Sequence, residues 1–136
     1  MNDYTANLTL DQAAKQLRQC DGPIAVITHA KPDGDAAGTL VALVTALNAI
    51  GKQARGLLCP PVADSLRFLA QNHSVEIVED ASALPDDTEQ LVIVDTGAYS
   101  QLGPLAGRVF VFTGTLQTLK RDAAKELAGK IASALD

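Results

Sequence analysis

One histidine and two aspartates fall within seven residues of each other in the stretch I-A-V-I-T-H-A-K-P-D-G-D-A-A-G-T, residues 24–39. The three are His29, Asp33 and Asp35. An imidazole beside two carboxylates is a donor set for a divalent cation. Such a set suits Mn²⁺ or Mg²⁺ first, and Zn²⁺ or Fe²⁺ after them. Asp33 and Asp35 stand two apart in a turn, placed to serve one centre or two adjacent ones. The competing reading is local: Asp35 caps a helix, Asp33 closes an Asx-turn and His29 is exposed. The strand before the turn and the presence of His29 favour a site.

Positioning falls to the flanking elements. Ile24, Ala25, Val26 and Ile27 are apolar and mostly β-branched, which predicts a strand buried on both faces. Pro32 and Gly34 punctuate the turn. A helix follows Asp35, with Ala37, Leu40, Val41, Val44, Leu47 and Ile50 on its apolar face, widened by Leu43 and Ala46. Gly51 fits its C-terminal stop. A buried strand handing over to a helix is where open α/β sheets bind ligands, outside the carboxyl ends of the strands.

Asp95 repeats the pattern. It ends the apolar run of residues 91–94 and is followed by Thr96 and Gly97. In a parallel sheet both strand ends lie on one edge, so Asp95 can meet Asp33 and Asp35 in space. A capping or turn aspartate is the alternative.

Elsewhere, Thr9 and Gln12 form a capping-box pattern. Leu10, Ala13, Ala14 and Leu17 share one face of the helix it opens, which ends before Gly22 and Pro23. Ala54–Leu58 reads as a strand, Pro61 starts a helix through residues 62–70, and residues 75–78 form another short strand. The acids Asp86 and Asp87 belong to a solvated loop, and His73 to another. Residues 109–112 read as a buried strand. Thr118 then caps a last helix with Leu119, Ala123, Leu127, Ala128, Ile131 and Leu135 as its apolar stripe. Lys120, Arg121, Lys125, Glu126 and Lys130 form its wet face.

The 136 residues are 47% hydrophobic and 20% charged, enough for one domain with a real core. A net charge of −5 argues against bulk electrostatic binding to nucleic acid. Cys20 and Cys59 have no C-x-x-C spacing and read as plain thiols in a reducing, cytoplasmic compartment. No signal peptide and no membrane-length apolar run is evident.

The stretch T-H-A-K-P-D-G-D-A-A-G-T resembles the first motif of the DHH phosphoesterases, the superfamily of RecJ-type nucleases, nanoRNA/pAp phosphatases and family II pyrophosphatases. V-I-V-D-T with Leu102 and Gly103 resembles the second motif. The likeness covers residues ~5–107. It implies that His29, Asp33 and Asp35 ligate Mn²⁺ ions, with Asp95 bridging two of them. The third motif, Asp-His-His after a strand, is replaced at Thr113, Gly114 and Thr115. The later Asp ligand and the substrate-binding domain of that family are not found in the 136 residues.

Residues ~106–128, A-G-R-V-F-V-F-T-G-T-L-Q-T-L-K-R-D-A-A-K-E-L and onward, instead resemble the first strand and helix of a BRCT domain of NAD-dependent DNA ligases. There the Thr-Gly after the strand contacts phosphate, which would give that role to Thr113 and Gly114.

The expected architecture is a three-layer α/β/α domain with a mainly parallel, Rossmann-like sheet ending in a β-α unit. It is one domain, 1–136, made of a DHH-like segment, 1–105, and a BRCT-like segment, 106–136. Two partial likenesses in one chain imply recombination, by engineering rather than nature, with the junction at residues 103–108. The expected function is a remnant Mn²⁺ or Mg²⁺ site with little or no catalysis. The first alternative is an active Mn²⁺-dependent phosphoesterase on short oligonucleotides or nucleotide phosphates, which alone would bring nucleic acid or nucleotides as partners. The second is a non-enzymatic phosphate- or DNA-binding module. A homodimer through an exposed apolar surface is also expected.

Overall fold

The computed structural model describes residues 9–72, 74–78, 84, 86–96, 101–106, 109, 112 and 115–132. Helix α1 (Leu10–Gln19) opens with Thr9, whose side chain and backbone complete the capping box with Gln12. It buries Ala13, Ala14 and Leu17. Strand β1 (Ile24–Ile27), helix α2 (Gly34–Ala49) and strand β2 (Ala54–Leu58) follow, then the short α3 (Leu69–Asn72) and β3 (Val75–Ile77). Strands β4 (Gln90–Val94) and β5 (Thr115–Leu119) and helix α4 (Arg121–Ala132) complete the order.

The sheet is parallel throughout, in the order β3-β2-β1-β4-β5. The chain starts in the middle, moves outward to β3, then returns to the other side of β1. That reversal makes β1 and β4 neighbours and creates the switch point of an open α/β sheet.

Both faces are covered, as the apolar strands require. Ile24 and Val26 of β1, with Val92 and Val94 of β4, pack on α1, α2 and α4. Ala25, Ile27, Leu91 and Ile93 face the other way, onto Leu84, Leu102, Leu105 and Val109. Right-handed crossovers account for this split. The β1-α2-β2 connection moves one way along the sheet and the β4-to-β5 connection moves the other, so they cover opposite faces.

The segment before α4 departs from the sequence reading. Of the expected strand 109–112, residues 110 and 111 lie outside the described residues, Val109 is helical and buried, and Phe112 is in no strand; the strand is Thr115–Leu119, paired with β4 from Gln90↔Thr115 to Val94↔Leu119. Leu102, Leu105 and Val109, with the half-buried Ala106 and Phe112, recur at helical spacing and cover the second face of the sheet. Covering that face outweighs the local strand preference of Val and Phe. Thr118 therefore lies in β5 rather than capping a helix. In α4, Ala124, Leu127, Ala128 and Ile131 are buried and Ala123 is only half-buried. Leu135, His73, Thr113 and Gly114 lie outside the described residues.

The helix expected through residues 62–70 is also broken. A 3-10 turn, Asp64–Leu66, precedes α3. Val62 and Leu69 are buried while Arg67 and Phe68 are exposed, so no continuous apolar stripe sustains a longer helix. Phe68 is the large hydrophobic left most exposed among the described residues. No described helix is long and apolar enough to cross a membrane.

Helix α4 shares one core with α1 and α2: Leu127 and Ile131 are fully buried in the cluster that holds Leu17, Leu43 and Leu47. Arg18 Nη2 donates to the Lys130 carbonyl at 3.0 Å and Lys130 Nζ meets Asp11 at 3.0 Å. Leu127→Ala is expected to lower the unfolding free energy by roughly 2–5 kcal/mol, read from urea denaturation. A loss within about 0.5 kcal/mol, the range of a surface substitution, would mean that α4 does not close the core.

Candidate metal centre at the switch point

Strands β1 and β4 run in register from Ile24↔Gln90 to Ile27↔Ile93. Their ends are tied by the buried Thr28, whose Oγ1 donates to the Val94 carbonyl at 2.8 Å. The next residue on each strand carries chemistry: His29 after Thr28, and Asp95 after Val94. His29 Nε2 lies 3.8 Å from Asp95 Oδ2.

The imidazole is oriented by its other nitrogen. Nδ1 lies 2.9 Å from the Ala30 carbonyl. A carbonyl only accepts, so Nδ1 donates there and Nε2 is the ring nitrogen turned toward Asp95. Metal-binding histidines are commonly set this way.

Asp33 enters from the start of α2. It is the N-cap, its Oδ1 accepting from the Ala36 amide at 2.8 Å. The alternative that Asp35 caps the helix is thereby excluded, because the helix starts at Gly34. The Ala36 bond lowers the Asp33 pKa first, and the nearby Arg121 guanidinium adds to it.

One ligand atom each from His29, Asp33 and Asp95 lie within 4.8 Å of one another. Ligands at about 2.1 Å from a Mg²⁺-sized ion stand roughly 3–4.2 Å apart. Side-chain adjustments of under about an ångström would close this group around one ion, and its nitrogen and oxygens are the right donors. The residues fit a single divalent cation.

Asp35 is not part of the group. It sits in the first turn of α2, exposed, with Oδ2 taken by Arg121 Nη1 at 3.0 Å. Arg121 begins α4 at the carboxyl end of β5. Its Nε and Nη2 also donate to Asp95 Oδ2 at 3.3 and 3.1 Å, and Nη2 stands 3.9 Å from Asp33 Oδ2. The sequence reading put Arg121 on a wet helix face and missed this role, because the acids it meets are 26 and 86 residues away.

The floor of the site is strained. Lys31 and Asp95 have φ of 55° and 62°, left-handed values uncommon outside glycine and costing roughly 1 kcal/mol or more each. Backbone bonds hold them there: Lys31 N to the Cys59 carbonyl at 3.3 Å and Asp95 N to the Leu119 carbonyl at 2.9 Å. Gly103, at φ 59°, packs so close that an added Cβ would stand 3.0 Å from the Ala30 Cβ. His29, Lys31, Pro60, Asp95, Gln101 and Arg121 border a cleft of about 490 Å³. A larger cleft of about 710 Å³ lies at the opposite, amino ends of the strands. Cys59 is a buried thiol pushed up to about 11 by that burial, which makes it inert.

In metal-free protein Asp33→Ala is expected to cost about 1 kcal/mol of stability at pH 7 through the lost cap. The folded-state pKa of Asp33 lies below its unfolded value of about 3.9. Its charge-dependent stabilisation is therefore complete above that value and is lost as pH falls through the folded value. Chemical denaturation at pH 7 and at about pH 2.5 checks this: the cost should shrink at the lower pH, and equal costs would leave the charge without a part in the cap.

No family model matches the chain. It is 37% identical over 89 residues to a bifunctional oligoribonuclease and PAP phosphatase of Thermus thermophilus, an alignment covering 65% of this chain and 26% of that protein. It is 38% identical over 74 residues to a DNA ligase of Paramagnetospirillum magneticum, covering 51% of this chain and 10% of the ligase. The ligase likeness thus extends beyond the short segment that carries the BRCT-like residues. A crystal structure of an exopolyphosphatase-related protein from Bacteroides fragilis superposes with a TM-score of 0.73 at 15% identity, over 99% of this chain and 46% of that one. The chain therefore spans about a quarter of the phosphatase and a tenth of the ligase. The fold is shared with the exopolyphosphatase-related structure, and the sequence likeness to the oligoribonuclease supports a DHH phosphoesterase-like domain.

Proposed function

We propose that this chain is a recombined α/β domain of DHH phosphoesterase type whose surviving chemistry is the binding of one divalent cation, Mn²⁺ or Mg²⁺, with little or no hydrolysis. The observation that carries the reading is the charge at the three strand ends. Those of β1 and β4 bring His29, Asp33 and Asp95 together, while that of β5 contributes the cation Arg121. In this reading residues 1–105 form the phosphoesterase-type segment and residues 106–136 the ligase-like β-α unit, folded as one domain, with the 74-residue likeness to the ligase reaching back into the first segment.

His29, Asp33 and Asp95 would hold the ion, and a bound divalent ion supplies Lewis acidity and an acidified water. The protein's own groups do the rest. His29 offers Nε2 because Nδ1 is committed to the Ala30 carbonyl. Thr28 keeps the two strand ends at a fixed separation. Lys31 and Arg121 border the cleft and favour an anionic guest. Two-metal phosphoester hydrolysis needs a second ion about 3.5–4 Å from the first, whereas the described residues bring together one such donor group, with Asp35 tied to Arg121 instead.

The second reading is an active Mn²⁺-dependent phosphoesterase acting on short oligonucleotides or nucleotide phosphates. The oligoribonuclease and PAP phosphatase activities named for the Thermus relative favour it. Calorimetric titration of Mn²⁺ into chelator-treated protein, beside an Asp33→Ala, Asp95→Ala double variant, separates the two. One ion bound by the parent, lost in the variant, with no hydrolysis of a generic phosphodiester, is the expected outcome. Metal-dependent turnover lost in the variant would establish the second reading. Failure to bind any ion would leave the cluster as a purely structural ion-pair network.

A further inference from the structure

We propose that Arg121 is the resident cation of this carboxylate cluster, and that a divalent ion enters only by displacing it. The inference rests on reading His29, Asp33 and Asp95 as the metal group. Asp95 Oδ2 is the oxygen facing His29 Nε2, at 3.8 Å. The same oxygen accepts two N–H groups from Arg121, at 3.3 and 3.1 Å. A third guanidinium nitrogen is held by Asp35 at 3.0 Å, and Asp33 Oδ2 lies 3.9 Å from Nη2. Arg121 thus draws on every carboxylate of the cluster at once.

An ion about 2.1 Å from Asp95 Oδ2 would sit within a few ångströms of the guanidinium. Two cations at that spacing repel, and the oxygen's lone pairs serve one of them at full strength. The two arrangements are therefore exclusive. Exchange between them is structurally easy. Arg121 is more than a third exposed, so its side chain can swing outward while α4 stays in place. Without a metal, Arg121 neutralises part of the negative charge that Asp33, Asp35 and Asp95 concentrate. With one, that neutralisation is supplied by the ion and the freed guanidinium borders the cleft beside Lys31.

The test compares the whole chain with Arg121→Gln and Arg121→Lys in chelator-treated form, titrating Mn²⁺ by calorimetry and following melting with and without saturating Mn²⁺. Arg121→Gln is expected to bind Mn²⁺ about tenfold or more tightly than the parent. Arg121→Lys, which keeps the charge but not the fork that grips several carboxylates, should fall between them. In chelator the Gln variant should melt below the parent, and Mn²⁺ should raise its melting temperature by more than it raises the parent's. Should the Gln variant be unfolded in chelator, the Lys variant carries the comparison, and affinity no higher than the parent's would overturn the proposal. Equal or weaker binding by the folded Gln variant, with binding still dependent on Asp33 and Asp95, overturns it while leaving the metal reading intact. No Mn²⁺ binding by any of the three removes both.

Discussion

The in-register pairing of β1 with β4 is the constraint on which everything else depends. Four consecutive apolar residues on each strand face two cores in alternation, so neither strand can slip by one residue without reversing every side chain. Register fixes where the strands end, and the buried Thr28 hydroxyl bound to the Val94 carbonyl fastens those ends. Polar chemistry starts one residue later on both strands. His29 and Asp95 are neighbours because burial stops at the same level on each.

That geometry creates an electrostatic problem as well as a site. Asp33, Asp35 and Asp95 are gathered at one edge, and carboxylates so close together disfavour each other's charge. Two local devices ease it. The amide of Ala36 stabilises the Asp33 charge at the head of α2, where the helix dipole also favours an anion. Arg121 supplies the compensating positive charge from the head of α4. A helix start is an unfavourable place for a cation in dipole terms, so the acids opposite are what hold Arg121 there.

Much of this was legible in the sequence. The capping box of Thr9, the apolar run of β1, the bounds of β2 and the stop of α2 at Gly51, with φ 87°, follow from local rules. The convergence of His29, Asp33 and Asp95 was also readable, because strand ends of a parallel sheet share an edge. What failed involves competition between levels. Val109 and Phe112 are strong strand formers, but with Leu102 and Leu105 they also satisfy helical spacing, and the sheet face that needs covering takes them. Asp33 rather than Asp35 became the cap because the helix begins at Gly34, before the apolar pattern does. Arg121 carried no local signal at all. Its meaning comes from acids that only the fold brings within reach.

The end of β5 is where architecture and chemistry separate. Strand, turn and helix are kept there, and α4 fills the core beside α1 and α2 as a parallel α/β unit should. A sheet of this kind tolerates any strand-and-helix unit with the right apolar faces, because packing does not specify the residue at the strand's carboxyl end. That one position nevertheless sets the electrostatics of the crevice. A neutral or anionic donor there adds to a cation site, whereas Arg121 competes with one. On the proposed reading, exchanging a β-α unit therefore preserves the fold almost by default and changes the chemistry through a single side chain.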